Sequence, residues 1–207
     1  MPHLSPRFPL AALAAAAIAL AGCTTVPAGP VEVTRFVAED TASRLGQGSI
    51  FVESAPGMDG DSLELAAYKA AVARELVSLG YTEASRAEAG QVAQVRLGRA
   101  AFATERERGP VSVGVGGSTG SYGSGVGLGI GINLGGGGDR EQVETRLGVI
   151  IRDRATDIAL WEGRANFSVG ASSELAATPA NAAAVADALF REFPGNNGET
   201  IEVKVSE

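Results

Sequence analysis

The residues best suited to chemistry in this chain are Leu20-Ala21-Gly22-Cys23, a run that ends in the only cysteine. Small residues directly before a cysteine are typical of a lipobox, in which a diacylglycerol is attached to the thiol and the chain is cleaved between Gly22 and Cys23. The sequence therefore predicts a lipoprotein whose mature chain starts at Cys23 and is held to a membrane by that lipid.

The residues before Cys23 have the composition of a signal peptide, predicted over 1–22. Arg7 precedes an apolar core of about 12 residues, fewer than the roughly 20 that a membrane-spanning helix needs. Residues 23–30 form a short tether with two prolines. Thr24 stands where bacterial lipoproteins carry an aspartate as an inner-membrane retention signal. By resemblance to that sorting rule we expect an outer-membrane location, with the domain facing the periplasm.

The rest of the chain offers few residue types for catalysis. Cleavage removes His3, the only histidine, and acylation consumes the only thiol. Serine–histidine and cysteine–histidine catalysis, and histidine or thiolate metal sites, are then excluded. Neither Lys69 nor Lys204 has a serine three residues before it, and no phosphate-binding glycine motif is present. Paired carboxylates stay open as a catalytic arrangement, although Asp153 and Asp157 flank a predicted turn. We expect no enzyme, no metal and no cofactor.

The charge balance also limits the partners. The mature chain has 185 residues and a net charge of −8, because Arg7 leaves with the signal peptide, and it holds only two lysines. From this charge balance we expect no basic surface for nucleic acid and no polybasic patch for anionic lipid. The expected partners are the membrane, through the lipid anchor, and other envelope proteins or a second copy.

The apolar periodicity predicts one α+β domain over residues 31–207. Alternating segments predict strands at 31–37, 49–53, 92–103, 145–153, 158–169 and 201–205, and spacings of three and four predict helices at 61–79 and from Thr178. Asp61 with Glu64 has the form of a capping box. We expect a mainly antiparallel sheet joined by hairpins rather than βαβ crossovers, with both helices on one face.

Trp161 is the only tryptophan and lies on the apolar face of the predicted strand 158–169. An aromatic ring of this size most simply anchors a core. The alternative is that it stacks on a bound glycan or lipid.

Several segments resemble the DUF4136 lipoproteins, bacterial envelope proteins of unknown function. These are Leu79-Gly80-Tyr81, Val92-Ala93-Gln94-Val95, the run from Gly148 to Asp153 followed by Leu160-Trp161-Glu162-Gly163, and the closing Ala188–Gly195. The resemblance extends over about residues 31–205. It implies a fold and an envelope location and brings no catalytic residues with it.

The segment 109–138 is rich in glycine, with 14 of its 30 residues of this type. Val126, Leu128, Ile130, Ile132 and Leu134 alternate with glycine and predict a ten-residue strand over 125–134 with one apolar face. Because glycine weakens strands by about 0.5–1 kcal/mol each, an isolated hairpin here is marginal. Three interpretations stay open: a protruding hairpin or loop, an interaction surface formed by the five apolar residues, and a membrane-inserting hairpin.

The sequence thus predicts a non-enzymatic lipoprotein of the bacterial outer membrane, a structural or binding module. Two alternatives are an oligomeric pore or channel component that uses the 109–138 hairpin, and a binding domain for a small glycan or lipid.

Overall fold

The computed structural model describes residues 28–39, 41–104, 111–118, 125–132 and 140–205, with 103–104, 111–118, 125–132 and 140 as backbone. These residues form nine strands, two α-helices and two short 3-10 helices, Ala42–Arg44 and Glu174–Ala176. The strands are β1 (Val31–Val37), β2 (Ser49–Ser54), β3 (Thr82–Glu83), β4 (Gln91–Thr104), β5 (Val111–Ser118), β6 (Gly125–Ile132), β7 (Arg140–Asp153), β8 (Ala159–Gly170) and β9 (Glu199–Val203), and the helices are α1 (Leu63–Ser78) and α2 (Thr178–Phe190).

Seven of the described strands form one sheet in the order β3-β2-β4-β7-β8-β1-β9. The pairs from β4 to β9 are antiparallel, whereas β2 runs parallel to both β3 and β4. The α+β class is confirmed, but the expected antiparallel sheet is only partly right because the sheet is mixed. The prediction that βαβ crossovers are missing is wrong: α1 carries the chain back across the sheet, so β4 starts at the same end as β2.

Helix α1 forms because its apolar residues recur at spacings of three and four and can be buried together. Its buried residues are Leu65, Tyr68, Ala71, Val72 and Leu76. Ser62, rather than the predicted Asp61, is the N-cap, and its Oγ accepts a hydrogen bond from the backbone N–H of Leu65 at 3.3 Å. Gly80 follows the helix with φ of 108°, the left-handed conformation expected after a helix end. No helix within the described residues is long and apolar enough to cross a membrane.

Both helices lie on the same face of the sheet and cover one core. Along β8, burial alternates strictly from Trp161 to Val169, so every second side chain enters that core. The alternate residues of β1 and β7 do the same. The opposite face of the sheet has no helix among the described elements, and it is this open face that carries most of the charged strand residues.

Strands β5 and β6 pair only with each other among the described strands, as a separate two-stranded antiparallel sheet. Both strands lie within the glycine-rich segment 109–138 and are described as backbone. Strand β6 is described over Gly125–Ile132, and positions 133 and 134 of the predicted strand lie outside the described residues. The hairpin is an insertion between β4 and β7, whose ladder closes with the pair Thr104 and Arg140.

Candidate functional site

The residues predicted to carry lipid, Gly22 and Cys23, lie outside the described residues, as does Leu134 of the predicted interaction surface. The other four members of that surface, Val126, Leu128, Ile130 and Ile132, lie on β6. Because alternate residues of a strand share a face, the register places these four on one face of the β5–β6 ladder.

Trp161 is a core residue, as predicted, and its ring is 1% exposed. Its Nε1–H donates a hydrogen bond to the carbonyl oxygen of Pro194 at 2.9 Å. The ring stacks on Phe190 with 5.4 Å between centroids and meets Phe193 at 5.1 Å. Since protein atoms cover the indole and satisfy its only donor, it is not available to stack on a ligand.

Gly163 makes room for that indole. A Cβ built at position 163 would overlap Trp161 Cη2 and would lie 2.8 Å from both Trp161 Cζ2 and Leu189 Cδ1. Carbon atoms in good contact are about 3.5–4.0 Å apart. The Leu-Trp-x-Gly motif is therefore a packing device: the tryptophan folds back over the backbone of a residue that has no side chain.

The open face of the sheet holds the candidate binding site. A groove of about 700 Å³ crosses β4, β7 and β8 and is bounded by the loop that holds Ala55, Pro56 and Met58. Its lining includes four arginines and one glutamate: Arg96, Arg146, Arg152, Arg164 and Glu162. In a chain with a formal net charge of −7, this is a local excess of positive charge.

Gly148 lies at the centre of the groove. The register places Arg96 of β4 directly opposite it on one side and Arg164 of β8 opposite it on the other. Arg146, two residues earlier on β7, has its side chain on the same face. A Cβ at position 148 would come no closer than 3.8 Å to another heavy atom, the Cβ of Arg96. The side chains of Arg96, Arg146 and Arg164 therefore surround Gly148, which exposes its backbone because it has no side chain.

Two of these arginines each form an ion pair with a glutamate on their own strand. Arg146 Nη2 lies 2.7 Å from Glu144 Oε1, and Arg164 Nη2 lies 2.6 Å from Glu162 Oε1. Both arginine side chains are largely exposed, at 67% and 60%. Exposed ion pairs contribute about 0–1 kcal/mol, so an incoming anion can displace the glutamates at little cost.

Arg96 differs from its two neighbours. Its Nη2 donates to the carbonyl oxygen of Pro56 at 3.3 Å, and no carboxylate of the described residues lies within ion-pair distance of it. The fourth arginine of the lining, Arg152, is held in place, since it donates to Gln94 Oε1 at 3.2 Å and to the carbonyl oxygen of Asp157 at 2.8 Å. Of these four arginines, Arg96 therefore has the most hydrogen-bonding capacity left for a ligand.

Two buried polar clusters on the helix side have structural roles. Arg35 is completely buried on β1 and donates from Nε to the carbonyl oxygen of Leu189 at 3.3 Å and from Nη2 to that of Arg191. Burial lowers the pKa of Arg35, while Glu199 and Glu192 act in the opposite direction. Arg35 therefore satisfies backbone carbonyls at the end of α2 that would otherwise be buried without a donor.

The second cluster joins α1 to α2. Tyr68 donates from its hydroxyl to Asn181 Oδ1 at 2.6 Å, and Asn181 Nδ2 donates to the carbonyl oxygen of Leu175 at 2.8 Å. Nearby, Arg99 Nη1 lies 2.7 Å from Glu64 Oε1 and 2.8 Å from Thr178 Oγ1. The N-cap of α2 is Ala177, and the hydroxyl of Thr178, the first residue of the helix, accepts from Arg99 and so orients it.

Sequence reasoning missed the arginine groove, although part of its signal was visible. Strand alternation places Arg146 and Arg152 on the polar side of β7 and Arg96 on the polar side of β4. What brings Arg96, Arg146 and Arg164 together is the register of three strands, which no spacing within one strand reveals. Within the described residues, no group of three or more histidine, cysteine, aspartate or glutamate side chains is placed to hold a metal ion.

Comparisons with known proteins give a family and two distant structural likenesses. The model of DUF4136, a domain of unknown function, matches residues 46–195. No curated protein matches the chain. A PDZ domain protein from Parabacteroides distasonis has 15% sequence identity and a TM-score of 0.49, with 91% of this chain and 42% of that chain covered. This chain thus spans less than half of that protein. PelC from Paraburkholderia phytofirmans, solved as a dodecamer, has 12% identity and a TM-score of 0.40, with coverage of 77% and 96%.

Proposed function

This chain belongs to the DUF4136 family, and from that membership, the lipobox and the open arginine-lined face we propose that it is a non-enzymatic lipoprotein of the bacterial outer membrane. In this proposal it is a binding module that faces the periplasm, held by a lipid on Cys23. Its ligand binds in the groove around Gly148 through phosphate or carboxylate oxygens. An acidic glycan and the headgroup of an anionic lipid share that chemistry.

A single observation carries the binding role, namely a face of the sheet that none of the described helices covers. The helices bury one face of β4, β7 and β8, and the other face holds the groove of about 700 Å³. Pockets for small molecules commonly have volumes of 300–1,000 Å³. The guanidinium groups of Arg96, Arg146 and Arg164 can each give two parallel hydrogen bonds to an oxyanion. Glu162 and Glu144 beside them disfavour an anion that does not form these bonds.

The residue inventory supports a binding role over catalysis. The proposed mature chain has no histidine and no free thiol. The buried ionisable side chains described above, Arg35 and Tyr68, are hydrogen-bonded inside the core, away from the groove. The groove can bind a ligand through its positive charge and its shape, and Glu162 is the single acidic residue in its lining.

The lipid anchor is tested by Cys23→Ser in cells fed with radioactive palmitate. We expect the wild-type protein to carry the label and to fractionate with the outer membrane. We expect the variant to lose both. A variant that keeps the label and the outer-membrane location would refute the anchor.

The groove is tested by titrating the protein with inorganic phosphate and with a galacturonate trisaccharide, and following backbone amide shifts by NMR. We expect Gly148 and its strand neighbours to shift, and Arg96→Gln to weaken binding by roughly 10- to 100-fold, because a charge-assisted hydrogen bond contributes about 1.5–3 kcal/mol. Arg191→Gln, on an exposed arginine outside the groove, is the matched control for net charge.

A neutral glucose trisaccharide serves as the ligand control and is expected to shift none of these amides. Two results would overturn the groove assignment. The first is equal weakening by Arg96→Gln and Arg191→Gln, which would mean that binding reports only net charge. The second is a set of shifts that maps to the helix side of the sheet.

A further inference from the structure

The glycine-rich insertion and the N-terminal tether leave the sheet at the same end. The long ladder of β4 and β7 ends at Thr104 and Arg140, and residues 105–139 lie between them in sequence. Strand β1 starts at Val31 and runs antiparallel to β8, with Glu32 opposite Asn166. The start of β1 thus lies toward the end of β8, which is also the end at which β4 leaves the sheet and β7 enters it.

The position of the tether is described at Gly29, two residues before β1 starts. At Gly29, a Cβ would lie 3.7 Å from the carbonyl oxygen of Ser168. Ser168 pairs with Glu144, and Glu144 pairs with Ala100. Gly29 therefore lies level with Ala100 along the sheet, four residues before the ladder ends at Thr104.

These positions limit how far the sheet end stands from a membrane. From Ala100 to Thr104 the ladder extends by about 14 Å, at about 3.4 Å per residue. Six residues separate Gly29 from Cys23 and reach at most about 20 Å when fully extended. If Cys23 carries the lipid, the bilayer surface lies within about 6 Å of the end of the ladder along that direction. The 35 residues of the insertion then start and end close enough to the bilayer for the hairpin to reach its surface.

The register of the hairpin gives it two unlike faces. On one face, Val111 pairs with Ile132, Val113 with Ile130 and Val115 with Leu128, and Val126 completes an apolar set of seven residues. The residues that alternate with them are all glycine or serine: Ser112, Gly114, Gly116, Ser118, Gly125, Gly127, Gly129 and Gly131. Neither strand has a charged residue. Such a ribbon can put its apolar face among acyl chains and its polar backbone and hydroxyl face toward the headgroups.

We propose that the β5–β6 hairpin is a second membrane contact, lying in the bilayer interface with its apolar face toward the lipid tails. This inference rests on the proposed lipid anchor at Cys23. The hairpin lies in the interface rather than across the bilayer, because the described ribbon has two strands with open edges, and unpaired backbone groups are not tolerated in the hydrocarbon region. The arginine groove, nearer the middle of the sheet, then faces the periplasm at a fixed height.

The test uses the full-length acylated protein, in which Cys23 has no free thiol, so that an introduced cysteine is the only labelling site. Ile130→Cys places a fluorescent label on the apolar face of the hairpin, and Gly129→Cys places it on the opposite face. Thr156→Cys, in the turn between β7 and β8 at the other end of the sheet, is the matched control. Each labelled protein is reconstituted into phosphatidylethanolamine–phosphatidylglycerol vesicles that carry a nitroxide on the acyl chain or on the headgroup.

We expect acyl-chain nitroxide to quench the label at position 130 several-fold more than the label at 156. The label at 129 should be quenched best by headgroup nitroxide. Equal quenching at 130 and 156 would overturn the proposal. A label at 130 that is shielded from lipid nitroxide and also from aqueous iodide would overturn it too, because a second copy or another protein would then cover the apolar face.

Flotation of the same samples distinguishes a failure of the hairpin proposal from a failure of the proposed anchor. If the protein floats with the vesicles and position 130 is not quenched, the hairpin inference fails and the anchor stands. If the protein does not float, the proposed anchor fails, and the inference that depends on it fails as well.

Discussion

The clearest quantitative prediction concerns Gly163, the residue beneath Trp161. Gly163→Ala adds one methyl group on the buried face of β8, where it would overlap Trp161 Cη2 and stand 2.8 Å from Leu189 Cδ1. To restore ordinary contacts of about 3.5–4.0 Å, Leu189 Cδ1 must retreat by at least about 0.7 Å and Trp161 Cη2 by more than that. The indole cannot retreat freely, since Phe190 and Phe193 pack against it and its Nε1–H is bonded to Pro194.

The expected cost follows from the tightness of this site. Adding a methyl group to a packed core costs about 1–3 kcal/mol, and a ring held on several sides places Gly163→Ala at the upper end, about 3 kcal/mol. That is a large part of a total stability of about 5–15 kcal/mol. For a domain of this size it corresponds to a fall in Tm of roughly 6–12 °C.

Gly148→Ala is the matched control, because Gly148 is also a mid-strand glycine but lies on the open face. Its new Cβ would meet nothing closer than 3.8 Å. We expect a gain of about 0.5 kcal/mol, because alanine reduces the conformational entropy of the unfolded chain. Urea unfolding followed by the emission of the single tryptophan measures both variants. Two results would refute the packing argument. The first is a free energy of unfolding for Gly163→Ala within about 0.5 kcal/mol of wild type, and the second is a loss of stability in Gly148→Ala as large as that in Gly163→Ala.

Three further predictions concern polar contacts. Burial raises the pKa of Tyr68 and keeps its hydroxyl protonated for Asn181; Tyr68→Phe should cost about 1–3 kcal/mol in urea unfolding, since it leaves the Asn181 amide oxygen without a donor. Arg35→Met should cost about 2–4 kcal/mol by the same assay, because carbonyls at the end of α2 lose their donor. The pKa of Asp153 is lowered, first by the backbone N–H of Thr156 and then by its hydroxyl. The stabilisation that ionised Asp153 provides is therefore fully present above its unfolded-state pKa of about 3.9 and is lost as pH falls through its lower folded-state pKa. Asp153→Asn should flatten this part of the curve of unfolding free energy against pH.

Each of these predictions has an outcome that contradicts it. Unchanged stability in Tyr68→Phe would mean that Asn181 has another donor. Equal stability of Arg35→Met and Arg35→Lys with wild type would mean that the helix end does not depend on this side chain. An NMR titration that gives Asp153 an ordinary midpoint, or one that Thr156→Val leaves unmoved, would contradict the assigned cause.

The sequence predicted well those features that depend on local periodicity. The strand at 31–37, the helix that starts at Thr178 and the core position of Trp161 are confirmed, because alternation and helical spacing report burial directly. Family membership is confirmed over residues 46–195. The capping residue was missed by one position, since Ser62 and Asp61 are both good N-caps and only the backbone conformation distinguishes them.

Features that depend on pairing between distant strands were not predictable in this way. The parallel pairing of β2 with β4 is set by the path of α1, not by a pattern in either strand. The groove around Gly148 exists because Arg96 and Arg164 come from residues far apart in sequence and meet at one register. The role of Gly163 also escaped sequence reasoning, because a glycine on a core face gives no sign of the ring that covers it.

The pairing of β1 has a consequence for the order of events as the protein is made. The first strand of the domain has both of its partners near the end of the chain, at residues 161–166 and 199–203. Contacts of such long range form late and slow the folding of a domain. Until residues 161–166 have been synthesised, β1 has neither of its two partners to pair with. In the proposed lipoprotein, this delay would leave time for acylation and cleavage at Cys23 before β1 is paired. The same strand, once paired on both sides, would then join the domain to the proposed anchor.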